Sequence, residues 1–402
     1  MFYDMVLEGG GAKGIAFVGA LQELEARGIA PARLLGTSAG AVTATFLAAG
    51  YNSKEMAEVL AETDNGQPVF LGFLEAPGTP TAEELHDSAI RQLFREVNLK
   101  AVPDFIEDKI DDAIVSLLSY SERANRLFSF VDKGGLCAGQ KFLNWLGEKL
   151  NWGIYEREHG NFAKGSPRQF GAMNMEEFFQ ATGVELSLIA SDTSAASILI
   201  LNHRTAPHCP ITAAVRMSMS VPLLWQEVVW QPEWGQYRDR DISGHTVVDG
   251  GLLSNFPIEL FISDQPYVTD IMGEKTETAS GVLGLLIDED LPVPGEEKPI
   301  TSVDGFAFGK LKTVQRVTNL LNTMLQAHDK EVMEAYEDRV IHLPAKGYGT
   351  VEFGLSQQRR DALVSAGRSA AVAFFERPEE GGERDLSTPS TVDQVALRML
   401  AE

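Results

Sequence analysis

Cysteine is scarce in this 402-residue chain, which carries only Cys137 and Cys209. Two cysteines exclude a disulfide framework, and their spacing fits no zinc site. The simplest setting is a reducing compartment. Basic residues are also short, with 34 Lys and Arg against 57 Asp and Glu and a formal net charge of -23. That balance excludes nucleic acid as a main partner, because gripping phosphates needs clustered Lys and Arg. It disfavours long-range attraction to anionic membranes but leaves lipid contact through an apolar patch open. Long hydrophobic runs are missing, and the stretch from Val282 to Ile287 is far too short to span a bilayer. The N-terminus has neither a basic n-region nor an apolar h-region, so no signal peptide is expected. The expected location is cytoplasmic, with at most peripheral contact with membranes. No His, Cys, Asp or Glu cluster has ligand spacing, so no metal and no cofactor are expected.

What is present is ordinary globular material, 44% hydrophobic and 23% charged, which rules out wholesale disorder. The first fifty residues read as a βαβ unit. Tyr3 to Leu7 is a short strand, Gly9 to Gly14 a turn, and Ile15, Val18, Leu21 and Leu24 a helical stripe ended by Gly28. Leu34-Leu35 is a second brief strand, followed by Gly36 to Gly40 and another helix. A strand-helix-strand crossover implies parallel strands and an α/β architecture. From about Asn52 to Glu177 the pattern turns helical and irregular, with Thr81 to Glu84 as a capping box and Gly134-Gly135 as a loop. Strands resume at Glu185–Ala190, Ser197–Leu201, Glu227–Trp230, Thr246–Val248, Gly281–Ile287 and Val340–Leu343. Long helices are expected at Leu311–Tyr336 and Ser356–Phe375. Glu376 to Pro389 reads as a flexible acidic linker before a short terminal helix.

Three segments carry chemistry. Gly36-Thr37-Ser38-Ala39-Gly40 matches G-x-S-x-G, in which a serine sits on a sharp strand-to-helix turn and glycines two positions away relieve crowding. Alone it is a short motif that equally fits an inert βα turn. Gly9-Gly10-Gly11-Ala12-Lys13-Gly14 leaves backbone N–H groups uncovered, able to stabilise a developing oxyanion. It fails the phosphate-binding Walker pattern. Gly9, Gly11 and Gly14 fit G-x-G-x-x-G literally, but Glu25 lies too early to serve a dinucleotide ribose. Asp249-Gly250-Gly251 follows an apolar strand, and an Asp at the C-terminal end of a parallel strand lies on the edge where ligands bind. A partly desolvated Asp can act as general base on Ser.

Together, in this order, the three segments resemble the patatin-like phospholipase family, whose hallmarks are a G-G-G-x-K/R-G loop, a G-x-S-x-G elbow and a D-G-G/A segment. The likeness extends to Arg216–Pro222 and to Leu252 through Pro257. It implies a three-layer α/β/α fold with a central, mostly parallel sheet, a helical insertion or cap, and C-terminal helices. The implied layout is a catalytic domain over 1–375, with core 1–51 and 178–290, insertion 52–177 and extension 291–375, before the tail 376–402. It also implies a Ser-Asp dyad, with Ser38 as nucleophile and Asp249 as base. Gly9, Gly10, Gly11 and Ala39 would form the oxyanion hole, supported by Ala12, Lys13, Gly14, Gly36, Gly40, Gly250 and Gly251. Lys13 would hold the loop or meet an anionic head group. The implied activity is acyl-ester hydrolysis of phospholipids or other lipids through an acyl-enzyme. The alternatives are a carboxylesterase for short soluble esters, an effector phospholipase needing an activator, and a nucleotide-binding module using Gly9–Gly14. A hydrolase triad would instead need a late histidine, His328 or His342, while His245 is merely near Asp249 in sequence. Val221, Leu223, Leu224, Trp225, Trp230 and Trp234, and a second run at Phe70, Leu71, Phe73 and Leu74, read either as core or as acyl-chain and bilayer contacts.

Overall fold

The computed structural model describes residues 1–86, 88–90, 92, 121–276, 279–295 and 336–377, with 393, 396, 397 and 400. The helix expected over 311–336 and His328 fall outside the described residues except for Tyr336, as does most of the linker expected at 376–389. The central sheet has eight strands: β1 (Phe2–Leu7), β2 (Ala30–Thr37), β3 (Leu186–Asp192), β4 (Ser197–Leu201), β5 (Val228–Val229), β6 (Thr246–Asp249), β7 (Ala279–Pro292) and β8 (Val340–Lys346). Their order is β8-β7-β1-β2-β3-β6-β5, with β4 also on β3. The pairings from β8 to β3 are parallel, while β4, β5 and β6 run antiparallel to their neighbours.

Helices cover the sheet: α1 (Ala16–Ala26), α2 (Ala39–Ala48), α3 (Ser53–Leu60), α4 (Glu122–Asp132), α5 (Gln140–Leu150), α6 (Met175–Thr182), α7 (Ile211–Ser218) and α8 (Gln357–Phe375). Strand alternation divides the core between two faces. Met5, Leu7 and Leu34 join the large cluster with Phe17, Leu21 and Leu47 from α1 and α2. Val6 and Leu35 point the other way, toward Phe256 in the loop after β6 and toward Phe261 and Met272 from the short helical segments that follow it. Both faces of β1 and β2 are therefore buried, which explains why β2 reads as no clean alternation. The α1–α8 crossing is unusually close. A Cβ on Gly19 would stand 1.8 Å from the Val364 carbonyl oxygen, and one on Gly367 2.1 Å from that of Ala16.

The expected capping box is formed: Glu84 N–H donates to Thr81 Oγ1 at 3.2 Å, and Thr81 N–H to Glu84 Oε2 at 2.7 Å. The Gly134-Gly135 loop is a correction. Gly135–Cys137 is a strand paired in parallel with Leu223–Trp225. Gly135 is required there because a Cβ would lie 2.0 Å from the Trp225 carbonyl carbon. This pairing ties the 52–177 segment to the chain that follows α7. β2 is also longer than the expected Leu34-Leu35, because pairing with β1 and β3 extends it beyond its apolar centre.

Candidate active site

The sheet's register creates the site. β2 pairs along one edge of β3 and ends with Thr37 opposite Ile189. β4 takes the other edge of β3. β6 then occupies the remainder of the β2 edge, running in the opposite direction, with Asp249 opposite Ala190. Two strands thus meet end to end on adjacent residues of β3, and the chain leaves them at Ser38 and at Gly250. This corrects the expectation that Asp249 ends a parallel strand. Its strand is antiparallel, and the carboxylate reaches the site because β2 stops early.

Ser38 is buried and has φ 52° and ψ -117°, a backbone conformation rarely adopted by non-glycine residues. Strain of this kind persists only where surrounding structure imposes it. Here the imposing contacts are tight on both sides. A Cβ on Gly36 would lie 2.5 Å from the Gly40 carbonyl oxygen, and one on Gly40 2.1 Å from that of Leu7. The elbow glycines are therefore a packing requirement. Ser38 N–H donates to Ser218 Oγ at 3.0 Å, and Asp249 N–H donates to the Ser220 carbonyl at 2.9 Å. The end of α7 thus holds the backbones of both residues. Arg216 anchors that end in turn, donating to the carbonyls of Ala138 and Gln226 and to Ser220 Oγ.

The Asp249 carboxylate is buried. Its Oδ1 accepts the Gly251 N–H at 2.8 Å, while Oδ2 has no hydrogen-bond partner. Burial pushes its pKa up to about 7, opposed by the nearby Ser38 hydroxyl and the Gly251 N–H. An unpartnered carboxylate oxygen beside a serine hydroxyl is positioned to accept a proton, and such contacts tighten only when substrate is bound.

The glycine loop lies against this pair. A Cβ on Gly9 would be 3.1 Å from Ser38 Cβ and 2.2 Å from Asn255 Oδ1. Gly9 N–H is already used, donating to the Asn255 carbonyl at 3.3 Å. Gly10 and Gly11 N–H donate to no acceptor among the described residues, and neither does Ala39 N–H at the first position of α2. Gly11 has φ +55° and packs on Thr350, whose carbonyl accepts the Ala12 N–H at 2.9 Å. Gly14 leaves room for Ala39, since a Cβ there would lie 2.8 Å from Ala39 Cβ. Gly250 sits under Ile189, and Gly251 beside the Asp249 carboxylate. Lys13 does not face a head group. It is buried and ion-paired with Glu289 on β7. Two residues knit the loop to the rest: Asn255 Nδ2 donates to Glu8 Oε1 at 2.9 Å and to the Gly9 carbonyl at 3.0 Å. Glu8 Oε2 accepts the Ile287 N–H at 2.6 Å. Sequence reading missed Ser218, Ser220, Asn255 and Glu8 as site supports. The signal was there for three of them, since Ser218 and Ser220 lie within Arg216–Pro222 and Asn255 within Leu252–Pro257, while Glu8 merely precedes the glycine loop.

The histidines are engaged elsewhere. His245 Nδ1 lies 2.7 Å from Asp192 Oδ2, and His342 Nδ1 3.0 Å from Asp288 Oδ2. The His342 hydrogen bond holds the Asp288 pKa below its ordinary value. No hydrogen bond joins either ring to Ser38 or Asp249. Among the described residues no group of three or more His, Cys, Asp and Glu converges as metal ligands.

An apolar cleft opens beside Ser38. Its walls include Val42, Phe46, Met56 and Val59 from α2 and α3, and Phe142 and Trp145 from α5. Val221 and Trp225 line it, as do Phe70 and Phe73, whereas Trp230 is buried in the core against Trp234. The two apolar runs therefore split between cleft and core. A strained serine, a buried carboxylate, free N–H groups and an apolar cleft form a set suited to acyl transfer.

The family model for patatin-like phospholipase matches residues 5–262. The chain belongs to the patatin-like phospholipase family. Membership implies lipid acyl hydrolase activity. The chain is 29% identical over 386 residues to the uncharacterized protein YqhO of Bacillus subtilis (strain 168), covering 94% of this chain and 99% of that one. It is 32% identical over 92 residues to a patatin-like phospholipase domain-containing protein, CNBE2340, of Cryptococcus neoformans, 22% of this chain and 10% of that protein. Among solved structures it is similar to VipD from Legionella pneumophila, with TM-score 0.41 and 17% identity over 93% of this chain and 66% of that one. It is also similar to the ExoU–SpcU complex from the type III secretion system of Pseudomonas aeruginosa, with TM-score 0.35 and 12% identity over 93% of this chain and 51% of that one. The chain thus spans nearly all of the Bacillus protein but only half to two thirds of the solved chains.

Proposed function

We propose that this patatin-like protein hydrolyses acyl esters of phospholipids or other lipids through a Ser38–Asp249 dyad. The observation that carries the reading is the end-to-end meeting of β2 and β6, which brings a strained serine beside a buried carboxylate with an unpartnered oxygen. Asp249 removes the Ser38 proton as the hydroxyl attacks the ester carbonyl. The N–H groups of Gly10, Gly11 and Ala39 hold the oxyanion, while Gly9 supplies room beside Ser38. Collapse releases the alcohol or lysolipid, protonated by Asp249. Water, deprotonated by Asp249, then frees the acid from Ser38.

The apolar cleft favours a long acyl chain over a short soluble ester, because burying each methylene stabilises the complex by about 0.8 kcal/mol. The test is labelling with a fluorophosphonate, parent against Ser38→Ala, together with hydrolysis of phospholipid vesicles. Labelling only in the parent, with turnover of long-chain lipid, is expected. Labelling that persists in Ser38→Ala sinks the dyad.

A further inference from the structure

A second cavity lies at the other end of the sheet. It is bordered by Leu24 from the end of α1, by Ile29 and Pro31 at the start of β2, by Leu47 near the end of α2, and by Arg157. Its volume is about 260 Å³, far beyond the roughly 10–15 Å³ that one water molecule needs. β2 has 8 residues, so the cavity at its start is roughly 26 Å from Ser38 beyond its end. This cavity is separate from the acyl cleft.

Arg157 distinguishes the cavity from an ordinary packing gap. The residue is half-buried, yet its guanidinium forms no ion pair and no hydrogen bond among the described residues. Burial lowers its pKa, with only Tyr155 acting against that effect. The Tyr155 hydroxyl is itself buried without a partner, and its ring packs on Gly50 at the cavity wall.

Two carboxylates, Glu25 and Glu156, border the cavity, and neither makes an ion pair with Arg157. Glu25 accepts the Ser53 N–H at 2.7 Å and is also bonded by the Ser53 hydroxyl. The Ala49 and Gly50 carbonyls at the end of α2 accept from Arg168, each at 2.9 Å. Arg168 is in turn paired with Glu55. Glu156 is exposed at the rim. A half-buried cation without a counter-ion favours an anion beside it.

We infer that this cavity binds an apolar molecule carrying one carboxylate, with the carboxylate on Arg157 and the hydrocarbon body against Leu24, Ile29, Pro31 and Leu47. The planar guanidinium matches a carboxylate with two parallel N–H···O bonds. A single cation suits a monoanion better than a phosphate monoester. Most of the wall is apolar, with Glu25, Tyr51, Asn52 and Glu156 its other polar members besides Arg157, so a molecule with a hydrocarbon body fits better than a small hydrophilic acid.

Calorimetric titration of the full chain in a Ser38→Ala background tests the inference without turnover. The probes are decanoate, decanol and inorganic phosphate, each below its aggregation concentration. Decanoate is expected to bind at least about tenfold more weakly when Arg157→Gln is added, with Arg157→Lys intermediate. Decanol should bind weakly and equally to all three, and phosphate not at all. Arg157 has no hydrogen-bond or ion-pair partner to lose among the described residues, so the Gln variant should fold with an unchanged or higher Tm. Decanoate binding that is absent, or that survives Arg157→Gln undiminished, overturns the inference, the latter placing the acid in the Ser38 cleft. Phosphate binding that depends on Arg157 overturns the carboxylate assignment. Failure of fluorophosphonate labelling at Ser38 would leave these outcomes untouched.

Discussion

Asp249 is a carboxylate whose ordinary ionisation is suppressed by its surroundings, with a pKa pushed up to about 7 chiefly by burial. As the proposed base it acts only when ionised, so kcat/KM should rise with pH and level off above an inflection near 7. A pH profile flat from 5 to 8 would exclude it as the base. The same shift sets a stability trend of defined sign. The folded value lies above the unfolded one, so the stabilisation is fully present below the ordinary carboxylate range and is lost as pH rises through about 7. Asp249→Asn should therefore remove activity by about 10³-fold or more while raising stability at pH 8 by up to about 4 kcal/mol. No such gain is expected at pH 4. Urea unfolding at the two pH values reads the difference, and a variant destabilised at pH 8 would contradict the account. At Ser38 the strain is held by neighbours that a single methyl group would displace. Gly40→Ala would set a Cβ 2.1 Å from the Leu7 carbonyl oxygen and should cost about 3 kcal/mol or more of stability.

At the scale of elements, α7 is the clamp on the site. Its terminal Ser218 accepts the Ser38 N–H, and the Ser220 carbonyl just beyond accepts that of Asp249. Ser218→Ala leaves a buried N–H unpaired, a loss of about 1–3 kcal/mol. It should lower kcat roughly tenfold with little change in KM, since Ser218 positions Ser38 and does not line the cleft. An unchanged kcat would show that the elbow holds itself. α3 and α5 supply the far wall of the cleft through Met56, Val59, Phe142 and Trp145. Val59→Trp should shift the preference among nitrophenyl esters toward shorter chains while sparing the acetate. Equal losses across all chain lengths would instead indicate general disruption.

For the whole molecule, the net charge of -23 bears on how substrate is reached. Among the described residues no helix is long and apolar enough to cross a membrane. At physiological salt the Debye length is about 8 Å, so repulsion from an anionic surface is local. Hydrolysis of anionic vesicles should lag behind that of zwitterionic ones at low salt, and the gap should narrow as salt rises. Activity favouring anionic vesicles at low salt would require a concentrated basic face that the overall count conceals.

The sequence by itself determined the three motif segments, their order and the α/β character of the first fifty residues. Those depend on local sterics: glycine is required at Gly36 and Gly40 of the elbow and at Gly9 and Gly11 of the loop, where a Cβ would clash, and the apolar runs of β1, β3 and β7 have little choice but a buried sheet. The antiparallel direction of β6 was not legible, because a four-residue strand carries no signal of its partner's direction. Nor was the pairing of Gly135–Cys137 with Leu223–Trp225, since strand pairing across eighty-odd residues leaves no periodicity. The roles of Lys13, Ser218 and Asn255 also came only with tertiary contacts, as each acts through an atom remote in sequence. Local turns follow from the residues that occupy them. Which serine meets which carboxylate follows from register along β3, where β2 ends its pairing at Ile189 and β6 ends its own at Ala190, and only the folded chain decides that.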